Sequence, residues 1–186
     1  MKKYGLLFIA DEITTGFGRT GKLFVSQDWN PQPDILCLGK AISGGYLPLA
    51  ATLTTEDIYQ RFRGKDNFFM HGSTNSGHPV CAAVGLAAID IILREKLPEN
   101  AAKMGTYLKS HLSELMETHP IIGEVRGSGL MIAIDLTKNR KTKECFTREN
   151  IHNFLLDAVS RGMLLTYSDW GLSLFPPLNI DEGIAD

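Results

Sequence analysis

Residues 6–21 read LLFIADEITTGFGRTG, and the order of textures in this stretch decides the fold class. A continuous apolar run, 6–10, ends in Asp11 and Glu12. Unbroken rather than alternating hydrophobicity predicts a strand covered on both faces, the habit of parallel sheets in α/β folds. A glycine-rich loop follows at 16–21. Further on, a proline-containing turn at 29–34 leads into a second apolar run, ILCL at 35–38, which stops at Gly39-Lys40. After another turn at Gly44-Gly45, residues 49–54 predict a third strand. Thr54 or Thr55 then caps a short helix over 56–63.

Pro79 opens a long apolar, alanine-rich stretch to Leu97, with proline in the first turn where a helix tolerates it. This helix is apolar nearly all round until Arg94, which predicts burial between layers. Pro98 is expected to break it, and an amphipathic helix over 99–118 comes next. Beyond Pro120 the pattern shortens. Strands are predicted at 121–125, 129–136, 163–166 and 172–174, with a helix at 147–161 capped by Thr147 and stopped by Gly162. Residues 181–186 read as the opening turn of a helix that is cut off. Two domains are expected: an α/β unit with parallel strands over 1–97, and a smaller α+β unit over 98–186. Three buried strands with few covering helices cannot close a two-sided sheet, so the chain reads as a piece of something larger.

Composition removes several function classes. With 44% hydrophobic and 22% charged residues the chain is of ordinary globular type, neither disordered nor low-complexity. A net charge of −2 and the lack of a basic stripe argue against nucleic acid as a partner. No run approaches the ~18 apolar residues of a membrane span. The start, MKKYGLLFIADE, has the basic opening of a signal peptide, but Asp11-Glu12 interrupts it and no small-residue cleavage site follows. Three widely spaced cysteines, Cys37, Cys81 and Cys145, form no CxxC pair and read as reduced, buried thiols of a cytoplasmic protein.

The glycine loop matches two phosphate motifs and satisfies neither. Gly16, Gly18 and Gly21 have GxGxxG spacing, yet three residues separate Glu12 from the first glycine, no helix opens from the loop, and no acid ends a strand ~20 residues later. Residues 16–22 fit GxxxxGK, but Leu23 stands where a magnesium-binding hydroxyl belongs. Asp11 and Lys40 carry more. Each ends an apolar run, and α/β folds place ligands at the carboxyl ends of their strands. A carboxylate and an amine there suit a cofactor needing a counter-ion and a covalent anchor; a solvated lysine after a strand is the plain alternative. Residues 68–79, FFMHGSTNSGHP, set Ser73, Thr74 and Ser76 ahead of a helix, either to bind a phosphate or to make a polar loop and cap. His71 and His78 have no metal-ligand spacing.

Together, ADEITTGFGRTGKLF at 10–24, PDILCLGKAISGGYLPLAAT at 33–52 and MHGSTNSGHPVCAA at 70–83 resemble the class III pyridoxal-phosphate (PLP) aminotransferases. Weaker similarity continues through VRGSGLM and LFPPLNI and so covers essentially the whole chain. The segment 45–59 is most similar to the diaminopelargonate aminotransferases, and SGHP to the ω-amine:pyruvate aminotransferases. The resemblance implies an incomplete type I PLP-dependent transferase fold, comprising the distal part of the large domain and most of the small one. It also implies a homodimer with its site at the interface, and it leaves the isolated 186-residue chain without activity. Lys40 then matches the lysine that forms the internal aldimine and shuttles a proton; Asp11 faces the pyridine nitrogen; Ile13 lies under the ring. Thr74, with Ser73 beside it, matches the phosphate ligand donated across the interface, and Gly72 lies near the substrate.

The implied reaction moves an amino group between an amine or ω-amino acid and a keto acid or aldehyde. A mutase, racemase or decarboxylase of the same family shares Lys40 and Asp11, and a non-catalytic remnant of the fold is the alternative from another class. Ser173 stands where many members acting on α-carboxylates have an arginine before the Pro-Pro pair, and Thr166 lies about where the biotin-pathway enzymes keep a substrate arginine. A hydroxyl cannot replace the bidentate guanidinium contact, so an α-carboxylate is a poor fit. Arg126 is the nearest rival for that task, but its place in a hairpin predicts a structural ion pair.

Overall fold

The computed structural model describes residues 2–168 and 171–186, and they form two compact units. One unit runs to Gly18 and resumes over Lys22–Lys96; the other is Leu97–Asp186 together with Arg19–Gly21.

In the first unit β1 (Ile9–Asp11), β2 (Ile35–Leu38) and β3 (Ala51–Thr54) form one sheet in that order. β1 and β2 are parallel, with Ile9 opposite Ile35 and Asp11 opposite Cys37. The entry to this pair is pinned by Asp34: its Oδ2 accepts from the Phe8 amide at 2.8 Å while its own amide donates to the Phe8 carbonyl at 2.8 Å. β3 corrects the expectation of parallel strands, because it runs antiparallel to β2. The connection folds into a 3-10 turn, Lys40–Ser43, ended by Gly44 at φ 62°, and turns the chain back without a helix crossing the sheet. Two helices follow, α1 (Glu56–Gln60), shorter than expected, and α2 (Pro79–Arg94), whose N-cap His78 accepts from the Val80 amide through Nδ1 at 3.2 Å.

Burial departs from the sequence expectation here. Ile9 is 58% exposed and Leu86 of α2 is 72% exposed, and only Gly85 and Ile92 of α2 are buried. An unbroken apolar strand and a helix apolar all round are sequences suited to cover on both sides, and among the described residues only one side of each is covered. The three cysteines are free and half-buried rather than buried.

The second unit begins with α3 (Leu97–Thr118). Pro98 sits in its first turn instead of breaking the preceding helix; the break lies just before, where Lys96 takes φ 52°. Then come β4 (Ile122–Ser128), β5 (Met131–Asn139), the short β6 (Glu144–Cys145), α4 (Arg148–Ser160), β7 (Thr166–Ser168), β8 (Gly171–Leu174) and α5 (Glu182–Ala185). The sheet is antiparallel with order β4-β5-β8-β7, and β6 adds to β5. β7 starts where the expected strand 163–166 was to end, and β6 was not anticipated at all. Thr147 caps α4 as expected, its Oγ1 accepting from the Asn150 amide at 3.2 Å.

Two apolar clusters hold this unit: Ala101, Met104, Leu130 and Ile180 under α3, and Ile134, Leu136, Ile151 and Leu172 between the sheet and α4. α3 approaches the β4–β5 turn so closely that a Cβ on Gly105 would stand 2.1 Å from the Gly129 carbonyl oxygen. No helix among the described residues is long and apolar enough to cross a membrane.

Candidate active site

The ends of β1 and β2 bring the first group of sequence candidates together. Two parallel strands side by side present their carboxyl ends in the same direction. Asp11 is the last residue of β1, and Lys40 lies two residues beyond the end of β2, past Gly39. The Asp11 carboxylate is exposed and accepts from the Ile13 amide at 2.9 Å; among the described residues it has no other hydrogen-bond partner. Ile13 is half-buried and packs on Gly39, where a Cβ would meet its Cγ2 at 3.2 Å. The Lys40 amine is exposed and donates to Thr14 Oγ1 at 2.7 Å.

The turn after Asp11 hangs on Glu12, a residue to which sequence reasoning assigned no role. Glu12 is 1% exposed. Its Oε2 accepts from Thr15 Oγ1 at 2.5 Å, its Oε1 from the Ser26 amide at 2.7 Å, and its carbonyl from the Gly16 amide at 2.9 Å. Burial by itself pushes this carboxyl up, but the hydrogen bonds from Thr15, Ser26 and Val25 outweigh burial and hold it below its ordinary value of 4.5. A depressed carboxyl stabilises the fold above its unfolded value and loses that contribution as the pH falls through its folded one. Glu12→Gln is therefore expected to cost about 1.5–3 kcal/mol at neutral pH, the worth of a charged hydrogen-bond set, and to flatten the decline of stability below pH 4.5. Urea midpoints at pH 7 and pH 4 for both proteins check this; parallel losses at the two pH values would contradict it. The signal available in the sequence was the second acid of the Asp-Glu pair, but nothing local told which acid points inward.

The same loop hands its last part to the second unit. Arg19 Nη1 donates to the carbonyls of Leu130 at 3.2 Å and Pro176 at 2.5 Å, and Ser128 Oγ donates to the Thr20 carbonyl at 2.9 Å. Burial pushes the Arg19 guanidinium down from its ordinary value, since its partners are neutral carbonyls.

The remaining candidates lie apart. Gly72, Ser73 and Thr74 are exposed on the segment before α2. Ser73 makes contact with Ser76, its amide donating to Ser76 Oγ at 3.1 Å and the two hydroxyls standing 3.2 Å apart. No hydrogen bond joins 72–74 to Asp11 or Lys40 among the described residues. In the second unit Thr166 and Ser173 prove to be neighbours: they pair in register across β7 and β8, and Thr166 Oγ1 donates to the Ser173 carbonyl at 3.3 Å. Arg126 forms the expected structural ion pair, with Asp135 at 2.6 Å and Glu124 at 3.9 Å. The bond to Asp135 raises its guanidinium above the ordinary value.

An exposed amine, an exposed carboxylate on the neighbouring strand and an apolar side chain packed at the residue before the amine are a donor set that fits pyridoxal phosphate. The amine suits its aldehyde and the carboxylate a protonated ring nitrogen. Known proteins agree with this chemistry. The family model described as aminotransferase class-III matches residues 1–186. The putrescine–pyruvate aminotransferase of Pseudomonas aeruginosa is 38% identical over 188 residues, spanning 100% of this chain and 41% of that protein. The taurine–pyruvate aminotransferase of Bilophila wadsworthia is 44% identical over 167 residues, 88% of this chain and 36% of that protein. Among solved structures, an amine transaminase from an uncultivated Pseudomonas species, crystallised in its PLP-bound internal aldimine form, superposes with a TM-score of 0.91 at 41% identity; the match covers 99% of this chain and 43% of that one. The chain thus spans about two fifths of the length of these relatives.

Proposed function

Because the chain belongs to the class III aminotransferases, we propose that the whole protein moves an amino group between an amine or ω-amino acid and a keto acid or aldehyde. The observation that carries this reading is the placement of Lys40 and Asp11, an amine and a carboxylate, at the carboxyl ends of two adjacent parallel strands. Pyridoxal phosphate, when bound, supplies an aldehyde for amines to condense with and a ring that draws electrons from the reacting carbon.

Lys40 is the residue to anchor that aldehyde and, once free, to take a proton from the substrate carbon and return it elsewhere. Asp11 would face the ring nitrogen and offer it a carboxylate partner. Ile13, half-buried against Gly39, would present an apolar surface under the ring. Ser73 and Thr74 offer hydroxyls to a phosphate, and Gly72 leaves room for the substrate.

Substrate choice follows from the second unit. Ser173 and Thr166 supply hydroxyls at the two places where related enzymes carry a substrate arginine. A neutral hydrogen bond in place of two charged ones costs an α-carboxylate about 1.5–3 kcal/mol, or roughly tenfold to a hundredfold in affinity. We assign the first unit to the distal part of a large cofactor-binding domain and the second to a small domain. The apolar face of α2, exposed at Val80 and Leu86, supports a homodimer, and the unpaired cysteines support a cytoplasmic setting.

The test is a donor panel on the whole protein with pyruvate as acceptor. A simple primary amine is expected to exceed an α-amino acid in kcat/KM by at least tenfold. Preference for the α-amino acid, unchanged in Ser173→Ala, would assign carboxylate binding to another residue. The same assay on the 186-residue chain alone is expected to show no turnover.

A further inference from the structure

We propose that Thr14 is a positioning residue for the Lys40 amine, holding Nζ at the carboxyl end of β2 whenever that amine is free. The proposal rests on the reading of Lys40 as the cofactor lysine. Lysine carries its charge on a flexible four-carbon stem, and a free amine on an exposed stem samples many rotamers. Here Nζ has one hydrogen-bond partner among the described residues, Thr14 Oγ1 at 2.7 Å.

Both ends of that bond are set in advance. Thr14 is flanked by Ile13, whose amide donates to Asp11 Oδ1 at 2.9 Å, and by Thr15, whose hydroxyl donates to buried Glu12 at 2.5 Å. The hydroxyl is therefore mounted on a turn tied down on either side. Lys40 itself takes φ 46°, a left-handed conformation that a non-glycine residue keeps only where its surroundings impose it. Three contacts impose it: Gly39 lies against Ile13, the Ile42 amide donates to the Gly39 carbonyl at 3.1 Å, and α2 packs on the Lys40–Ser43 turn. Backbone strain at residue 40 and a fixed hydroxyl at residue 14 both aim the amine at one place. A hydroxyl also suits both states of its guest, accepting from an ammonium and donating to the lone pair of a neutral amine.

The test compares two substitutions in the whole protein. Thr14→Val keeps shape and removes the hydroxyl; Thr14→Ser keeps the hydroxyl and removes the methyl. Thr14→Val is expected to lower kcat by about tenfold, the effect of one hydrogen bond, with KM nearly unchanged, while Thr14→Ser stays near wild type. A second readout uses the protein stripped of cofactor. Reductive methylation with formaldehyde, followed by peptide mapping, gives the labelling rate of Lys40 relative to Lys65, a lysine with no partner among the described residues. That ratio is expected to rise about fivefold in Thr14→Val and to stay put in Thr14→Ser. A packing role gives the opposite order, with valine tolerated and serine not, and would overturn the proposal, as would Thr14→Val matching wild type in both readouts. Failure of the underlying reading shows itself separately: borohydride reduction of the wild-type holoenzyme would then leave the pyridoxyl group on a lysine other than Lys40.

Discussion

Replacing Lys40 by alanine is expected to reduce transamination by the whole protein by at least roughly 10²–10⁴-fold, the worth of a positioned proton-transfer group. Under the proposed roles of Lys40 as covalent anchor and base, both would disappear at once, so the loss is expected to exceed that of either alone. Lys40 also occupies φ 46°, where alanine is no better suited than lysine, so the backbone has no reason to relax toward a different turn. Single-turnover measurements with an amine donor would show the loss directly. Small primary amines added to the solution are expected to restore part of the rate, because they replace the missing base without its tether. Borohydride reduction should leave the pyridoxyl group on Lys40 in the wild type and on no lysine in the variant. Full activity in Lys40→Ala would remove the central assignment of this site.

Asp11→Asn carries the second large effect. The side chain keeps its shape, and its oxygen can still accept from the Ile13 amide, which in the wild type lies 2.9 Å from Asp11 Oδ1. The fold and the turn should therefore survive. What the substitution removes is the carboxylate proposed to face the ring nitrogen. Removing one such preorganised electrostatic partner from a reaction centre typically costs roughly 10²–10³-fold in rate. The expected result is a kcat lower by that factor, with cofactor still bound and the thermal midpoint close to wild type. A full rate in Asp11→Asn would mean that another group protonates the ring. A lost cofactor with an intact fold would make Asp11 a binding residue first and an electronic one second.

The elements legible in the sequence are those whose causes are local. The run ILCL between a proline turn and Gly39 coincides with β2 because hydrophobic patterning and turn residues act within a few positions. Thr147 caps α4 for the same reason: the cap and the amide it serves are three residues apart. That Asp11 and Lys40 each follow an apolar run was legible from two local stops, whereas the pairing of the two strands was not.

Tertiary structure decided whatever depends on residues distant in the chain. The direction of β3 rests on which way a turn at 40–45 returns the chain, and an apolar run has the same composition in either direction. Glu12 and Asp11 are adjacent and chemically alike. One is buried and the other exposed because Ser26, fourteen residues away, supplies an amide to the former. Thr14 reaches Lys40 across 26 residues, and Thr166 meets Ser173 only because β7 and β8 pair in that register. Arg19, Thr20 and Gly21 read as the end of one glycine loop. They nevertheless group with the second unit, since the carbonyls that satisfy the Arg19 guanidinium are on Leu130 and Pro176. Hydrophobic patterning records which side chains avoid water, but the partner that shields them, and the hydroxyl or carbonyl that meets a buried donor, exist only once distant segments have come together.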